Sequence, residues 1–326
     1  MAKLIKLEVI KLFMSKKLYW WIAISFFVVM INNYYQQLIP LQKAPTVMEL
    51  ANNAEILQQQ INDFPKKLTY KNILLKQQLA AEYEITQYKI KYHSEYLKNT
   101  ELTNRLLNNL LNKYLIYYLI IIIVIASALF SEELNRGTIS SLLTKPYPRW
   151  QIIIAKYLTL LIAISFVISL FLLFELGARY IFYPAGHLSP SYLYQHLKNQ
   201  VIMVPFYRYL LLNLLLVLPI IISLATLAFS ISTIFSSKTL GLLSALLLVF
   251  MGEQLNQFII NNFTYLKYFL ITFNWDLSQF LGGALPTYPG LTLLSSLVVI
   301  IIFNGGLLGF KQKNAGFLDI IQNIRT

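Results

Sequence analysis

Apolar residues along this chain collect into long uncharged runs divided by short charged stretches. A bilayer core needs about 20 predominantly apolar residues per helix. Six runs meet or approach that length: Leu18–Ile31, Tyr114–Ser131, Tyr157–Phe174, Tyr209–Ser237, Thr239–Gly252 and Leu291–Phe310. The fifth is short and stops at Glu253. The pattern predicts six membrane-spanning helices and hence an all-α integral membrane protein.

Between the runs the pattern changes. Ile5, Val9, Leu12 and Phe13 fall on one helical stripe, with Lys3, Lys6 and Lys11 off it. A helix in the headgroup plane of the inner leaflet is therefore expected over residues 1–17. Asn32 to Gln37 reads NNYYQQ and offers no small-residue cleavage site, so the first span is uncleaved. Residues 37–113 lack glycine and are rich in Gln, Asn, Lys, Glu, Leu and Tyr. Thr46 to Glu49 fits a capping box that opens a helix, and Asp63-Phe64-Pro65 ends it. A longer helix is predicted over 66–97, with Ile73, Leu79, Tyr83, Ile90 and Leu97 as an apolar stripe for packing on a neighbour. A third helix leads into the second span. Residues 183–207 read as a shorter outer loop. Residues 261–290 read as one or two short helices dipping back into the outer leaflet before the sixth span, which needs protein cover at that depth. The chain divides into 1–36 (interfacial helix and first span), 37–113 (an extracellular helical insertion) and 114–326 (the remaining spans, with a cytoplasmic loop at 131–150).

Composition narrows the class. Of 326 residues, 57% are hydrophobic and 13% charged, and the mean hydropathy is +0.57; a soluble domain carries about 25% charged residues. This excludes a disordered chain and weighs against a soluble enzyme. The absence of cysteine removes disulfides, thiolate metal sites and Cys nucleophiles. His93, His187 and His196 are too widely spaced for a His-built metal site. The net charge of +13 would suggest nucleic acid in a soluble protein, but no recognition module accompanies it. In a membrane chain it marks cytoplasmic loops and lipid headgroups, so membrane lipid is a partner and nucleic acid is not.

Basic residues also set the orientation. Thirteen lie in the N-terminus, the second-to-third and fourth-to-fifth connections and the tail, against four (Arg179, Lys198, Arg208, Lys267) in the short segments of the other side. The ten in 37–113 do not vote, because long loops translocate largely regardless of charge. Both termini are thus expected in the cytoplasm of a cell membrane.

Catalytic chemistry is thin. There is no P-loop, nucleophile elbow, zincin motif or paired acidic cluster in the spans, so the chain does not read as an enzyme. Glu253 lies 15 residues beyond Lys238, about 22 Å of helix, and an acid at that depth is a functional candidate, the cap of a broken helix, or a residue facing water at a dip in the membrane surface. Glu175 sits near the outer end of the third span with Arg179 four residues on, a spacing that suits a local ion pair. Gly305 with Gly309, and Gly241 with Ala245, allow close helix contact, within one subunit ahead of between two.

The richest segment is Phe130 to Trp150. Glu132 and Glu133 follow the second span, Gly137 permits a turn, Ser140 to Leu143 suit a short helix, and Pro146 and Pro148 redirect the chain. An elbow of this kind presents a rigid helix to something in the cytoplasm. Glu133 to Arg136, Gly137-Thr138, Leu142-Leu143, Pro146 and Arg149, followed by an Ile/Leu-rich helix with a lysine, resemble the first cytoplasmic loop of the ABC-2-type ABC transporter permeases. The Lys-rich N-terminal helix, the six-span layout and the dipping segment also fit that family.

The resemblance implies the membrane subunit of an exporter, paired with a second permease subunit, the same or homologous, and with cytoplasmic ABC ATPase subunits. ATP and Mg would be bound by the ATPase, with no cofactor in this chain. It implies that Glu132, Glu133, Arg136, Gly137, Thr138, Leu142, Leu143 and Arg149 couple the permease to the ATPase. Bacterial relatives of this layout export hydrophobic peptides, including antimicrobial and cytolytic ones; others move lipids, polysaccharides or ions. The large outer face, rich in tyrosine and lysine, favours a peptide. The competing readings are a membrane-anchored sensor with an outer ligand-binding domain, which lacks a signalling domain, and a membrane-embedded transferase, which lacks an acid or metal cluster.

Overall fold

The computed structural model describes residues 1–39, 46–64, 70–91, 100–135, 148–183, 191–196, 200–283 and 286–313. Its helices are α1 (Ala2–Phe13), α2 (Lys16–Leu38), α3 (Val47–Asn62), α4 (Tyr70–Lys91), α5 (Thr100–Asn108), α6 (Leu115–Asn135), α7 (Arg149–Phe182), α8 (Phe206–Ile234), α9 (Lys238–Asn262) and α10 (Leu293–Lys313). Among the described residues, four helical stretches are long and apolar enough to cross a bilayer: Leu102–Glu133, Trp150–Phe182, Phe206–Ile234 and Lys238–Ile260. The pair α1 and α2, bent by 60°, makes a fifth if counted together, and Leu293–Gly309 is a shorter apolar helix.

Sequence and structure part at four places. The stretch read as an outer loop contains a β-hairpin, β1 (Ser191–His196) antiparallel to β2 (Gln200–Pro205), with Tyr192 opposite Val204. Its alternation of Tyr and Leu with Gln and His suits a strand, so the all-α reading gains one hairpin. Second, α1 meets protein along one side: Ile5 of the stripe packs with its neighbour Leu4 on Ile152 and Ala155 of α7, and Leu12 packs against the main core, while Lys3, Lys6, Leu7 and Ile10 face outward. Third, α9 runs through Glu253 without a break, so that residue caps no interruption. Fourth, Gly305 and Gly309 have nothing within 4 Å of a built Cβ, so that pair is not packed against the described residues of this chain.

Other expectations hold. Thr46 and Glu49 form the reciprocal capping box, with Thr46 N donating to Glu49 Oε2 at 2.7 Å and Glu49 N to Thr46 Oγ1 at 3.3 Å. α3 stops at Asn62 and pairs with α4, on which Ile73, Leu79, Tyr83 and Ile90 are half-buried; Leu97 lies outside the described residues. The segment after α9 makes a 3-10 turn (Thr264–Tyr268) and a one-turn helix (Ile271–Asn274). Asn274, fully buried, clamps it: its amide donates to Lys267 O at 2.8 Å and Leu270 O at 2.9 Å, and accepts from Ser296 Oγ of α10 at 2.9 Å.

The core lies where α6 crosses α7 and α8. Ile122, Ile123 and Ala126 of α6 are buried with Phe171 of α7 and Ala225, Ala228 and Phe229 of α8. α9 closes on α8 through Gly241 and the fully buried Ala245. Any Cβ at Gly241 would stand 2.5 Å from the Ala228 carbonyl oxygen and 2.6 Å from Ser232 Cβ, so only glycine permits this approach.

The ends of α2, α6 and α7 that lie far from the α1–α2 elbow are tied by one buried carboxylate. Glu175 of α7 has no exposed surface. Its Oε2 accepts from Asn33 Nδ2 and from the Tyr114 hydroxyl, each at 2.7 Å. Its Oε1 accepts from Asn109 Nδ2 at 2.8 Å and Arg179 Nε at 3.2 Å. Arg179 also donates to Leu102 O of α5 at 2.8 Å. Asn109 reaches inward because Asn109–Lys113 forms a π-helical turn between α5 and α6. It exchanges a second pair of amide hydrogen bonds with Gln36 of α2. The local pair expected from the Glu175–Arg179 spacing is present, within a larger structural hub.

Two substitutions test this account by thermal unfolding of the purified protein in detergent. Gly241→Ala should destabilise by about 1–3 kcal/mol, as overpacking does, while Gly305→Ala leaves the midpoint unchanged. Glu175→Ala strands the buried Arg179 guanidinium and should cost about 3–5 kcal/mol.

Candidate functional site

At the end of the molecule opposite Glu175, five helices meet through charged side chains. α6 ends with Glu132 and Glu133 facing the α1–α2 elbow, and α7 carries Lys156 near its start. Lys156 has no exposed surface, and its ammonium lies 2.8 Å from Glu8 Oε2 of α1 and 2.7 Å from Glu133 Oε2. It also donates to Leu129 O of α6 at 3.2 Å and lies 5.9 Å from the Phe130 ring centre. That position complements the negative end of the α6 dipole. Lys11 of α1 bridges the same carboxylates, at 3.3 Å from Glu8 and 3.2 Å from Glu133. Glu132 takes Lys17 of α2 and, at 3.2 Å, Lys238 of α9. Lys238 arrives there through a tight turn between α8 and α9, in which Ser236 adopts left-handed backbone (φ 52°).

A buried ammonium is tolerable only when paired, and each partner here comes from a different helix. Glu8 is 3% exposed although it lies in a helix rich in lysine, because its side chain points at α7. On α1, outside the apolar stretches, partial burial alone would lower Lys11; the Glu8 and Glu133 carboxylates outweigh it and hold the ammonium above its ordinary pKa.

Of the residues expected to couple to a partner, Glu132 and Glu133 sit in this network. Arg136, Gly137, Thr138, Leu142 and Leu143 lie outside the described residues, and Arg149 opens α7. Glu175 is elsewhere: 19 residues of helix, about 28 Å, separate it from Lys156 on α7. Glu253 is exposed on α9. Glu8, Lys11, Lys17, Lys156 and Lys238 enter the site without any sequence motif. Two signals stand in the sequence: Glu8 is the one acidic residue before Glu49, and Lys156 interrupts an otherwise apolar approach to the third run.

The opposite end carries a second concavity of about 300 Å³. Asn104, Asn108 and Asn112 line it from α5 and the π turn, and Asn213 from α8. Tyr192 of β1 stacks on Tyr209 with ring centres 4.2 Å apart. Burial and the neighbouring Tyr209 push the Tyr192 hydroxyl above the ordinary tyrosine pKa.

Comparison with known proteins agrees with this architecture. The model of the ABC-2 family transporter proteins matches residues 2–305. Over 183 residues, 55% of this chain, the sequence is 30% identical to an uncharacterized protein, YhcI, of Bacillus subtilis (strain 168). The match covers 57% of that protein, so this chain spans a little over half the length of the curated relative. No solved structure matches. With the family match running through all the long apolar helices and through both arms of the charged junction, the chain belongs to the ABC-2 family of transporter proteins and is a multi-pass membrane protein.

Proposed function

We propose that this chain is the permease of an ABC exporter in the cell membrane of a bacterium, driven by a separate cytoplasmic ABC ATPase and working beside a second permease subunit. In this reading α2, α6, α7, α8, α9 and α10 are the six spans, both termini are cytoplasmic, and the α3–α4 hairpin stands outside. The observation that carries the proposal is the charged junction. In the chain, residues 136–147 connect α6, which ends just after Glu132 and Glu133, to α7, whose Lys156 closes the network. The push of an ATPase on that connection would therefore reach α1, α2, α6, α7 and α9 together. Lys11 and Glu133 act as positioning residues for this transmission.

The outer cleft supports an amphipathic peptide as cargo. Its asparagine amides offer donors and acceptors in the pairing that peptide groups use, and the stacked tyrosines offer an apolar flank. α4 lies against the β-hairpin that carries Tyr192.

Three measurements test the reading. Cysteines introduced one at a time should react with impermeant reagents in intact cells at Lys76→Cys and stay unlabelled at Lys145→Cys; labelling at 145 removes the six-span topology. Arg136→Glu should lower substrate-stimulated ATP hydrolysis of the purified complex while the permease still inserts, and unchanged stimulation removes the coupling role. Glu133 is a poorer probe, since it holds a buried ammonium. Glu133→Ala should cost about 3–5 kcal/mol of stability, and the paired change of Lys156→Met with Glu133→Leu should recover most of it while leaving coupling impaired.

A further inference from the structure

Beneath the elbow of α1 and α2 lies an open cleft of about 590 Å³. Leu18 and Trp21 of α2 and Ile125 and Ala128 of α6 form an apolar wall. Lys17 and Lys238 stand at its mouth beside Glu132. From Glu132 to Val124, which also lines the cleft, is eight residues of helix, about 12 Å, so the wall extends that far along α6 from the charged mouth. An apolar chamber with a few convergent polar groups at one end suits a ligand with a charged head and a hydrocarbon tail.

Charge selects the sign of that head. Among the described residues, four ammonium groups (Lys11, Lys17, Lys156 and Lys238) face three carboxylates (Glu8, Glu132 and Glu133). Lys17 and Lys238 approach the same oxygen, Glu132 Oε1. The excess positive charge therefore collects at the mouth rather than around the buried Lys156.

We propose that the cleft is a binding site for one anionic phospholipid of the inner leaflet, with its phosphate between Lys17 and Lys238 and an acyl chain along α6. The site rests on the reading that this end is cytoplasmic. A bound lipid would fill the angle between α1 and α2, and so brace the helix that carries Glu8 and Lys11.

The test measures lipid retained by the intact purified permease after exposure to vesicles of phosphatidylglycerol or of phosphatidylcholine, by native mass spectrometry. About one phosphatidylglycerol per chain should be retained, and phosphatidylcholine should wash away. Lys17→Gln and Lys238→Gln should each lower retention roughly fivefold, and Lys17→Arg should restore it. Ala128→Trp keeps every charge but fills the wall, and should also abolish retention. Lys3→Gln with Lys6→Gln removes two charges from the same end without touching the cleft, and should retain lipid as the parent does. Equal loss in that control pair, or undiminished retention in Ala128→Trp, overturns the site; so does full competition by inorganic phosphate, which has no tail. Because the readout is bound lipid, a permease that fails to couple to an ATPase still reports on the site, and a permease without bound lipid leaves the transport reading standing.

Discussion

An ammonium group with no exposed surface has to find its counter-charges within reach, and Lys156 finds them on two other helices. Glu8 comes from the first helix of the chain and Glu133 from the last turn of α6, more than a hundred residues apart in sequence. Satisfying that one group fixes where α1 lies, how α6 ends and at what angle α7 returns. The remaining charges of the junction, Lys11, Lys17, Glu132 and Lys238, extend the same constraint to α2 and α9. Removing Glu8 or Glu133 leaves the Lys156 ammonium buried with half its counter-charge, so the cluster acts as a unit.

The molecule repeats this device at its other end with different chemistry. Glu175 is held by amides, a hydroxyl and one guanidinium, where the Lys156 junction uses lysines and carboxylates. Between the two ends the helices meet through aliphatic and aromatic contacts and through the close approach at Gly241. Apolar packing of this kind is weakly directional in lipid, which is as apolar as the side chains. The polar ends supply the register that the apolar middle does not.

Legibility in the sequence followed the range of the interaction. The uncharged runs appear as helices at the expected places, because a long apolar run in a membrane chain leaves the backbone little alternative to a helix. The Thr46–Glu49 cap and the Glu175–Arg179 pair were readable because their partners lie three and four residues apart. The α1 stripe was visible but its target was not, since a basic amphipathic helix looks the same whether it faces headgroups or Ile152. Glu8 has no motif around it and Lys156 stands out only as the lysine of an Ile/Leu-rich helix, for nothing in either local sequence states that the other lies beside it. Glu253 illustrates the reverse: an acid in an apolar run suggested a break, yet α9 continues and presents it outward.

The π-helical turn at Asn109–Lys113 bears on how the outer segment and the spans are joined. It inserts one residue of extra winding into an otherwise continuous rod, which amounts to about 100° of rotation. Without it, Asn109 would point away from Glu175, and α5 would swing around the α6 axis by that amount. The direction of α5 is thus set by a phase offset in the helix. Any chimera that exchanges this segment for another must preserve the count of residues across 109–113, or the transplanted unit will be mounted facing the wrong way.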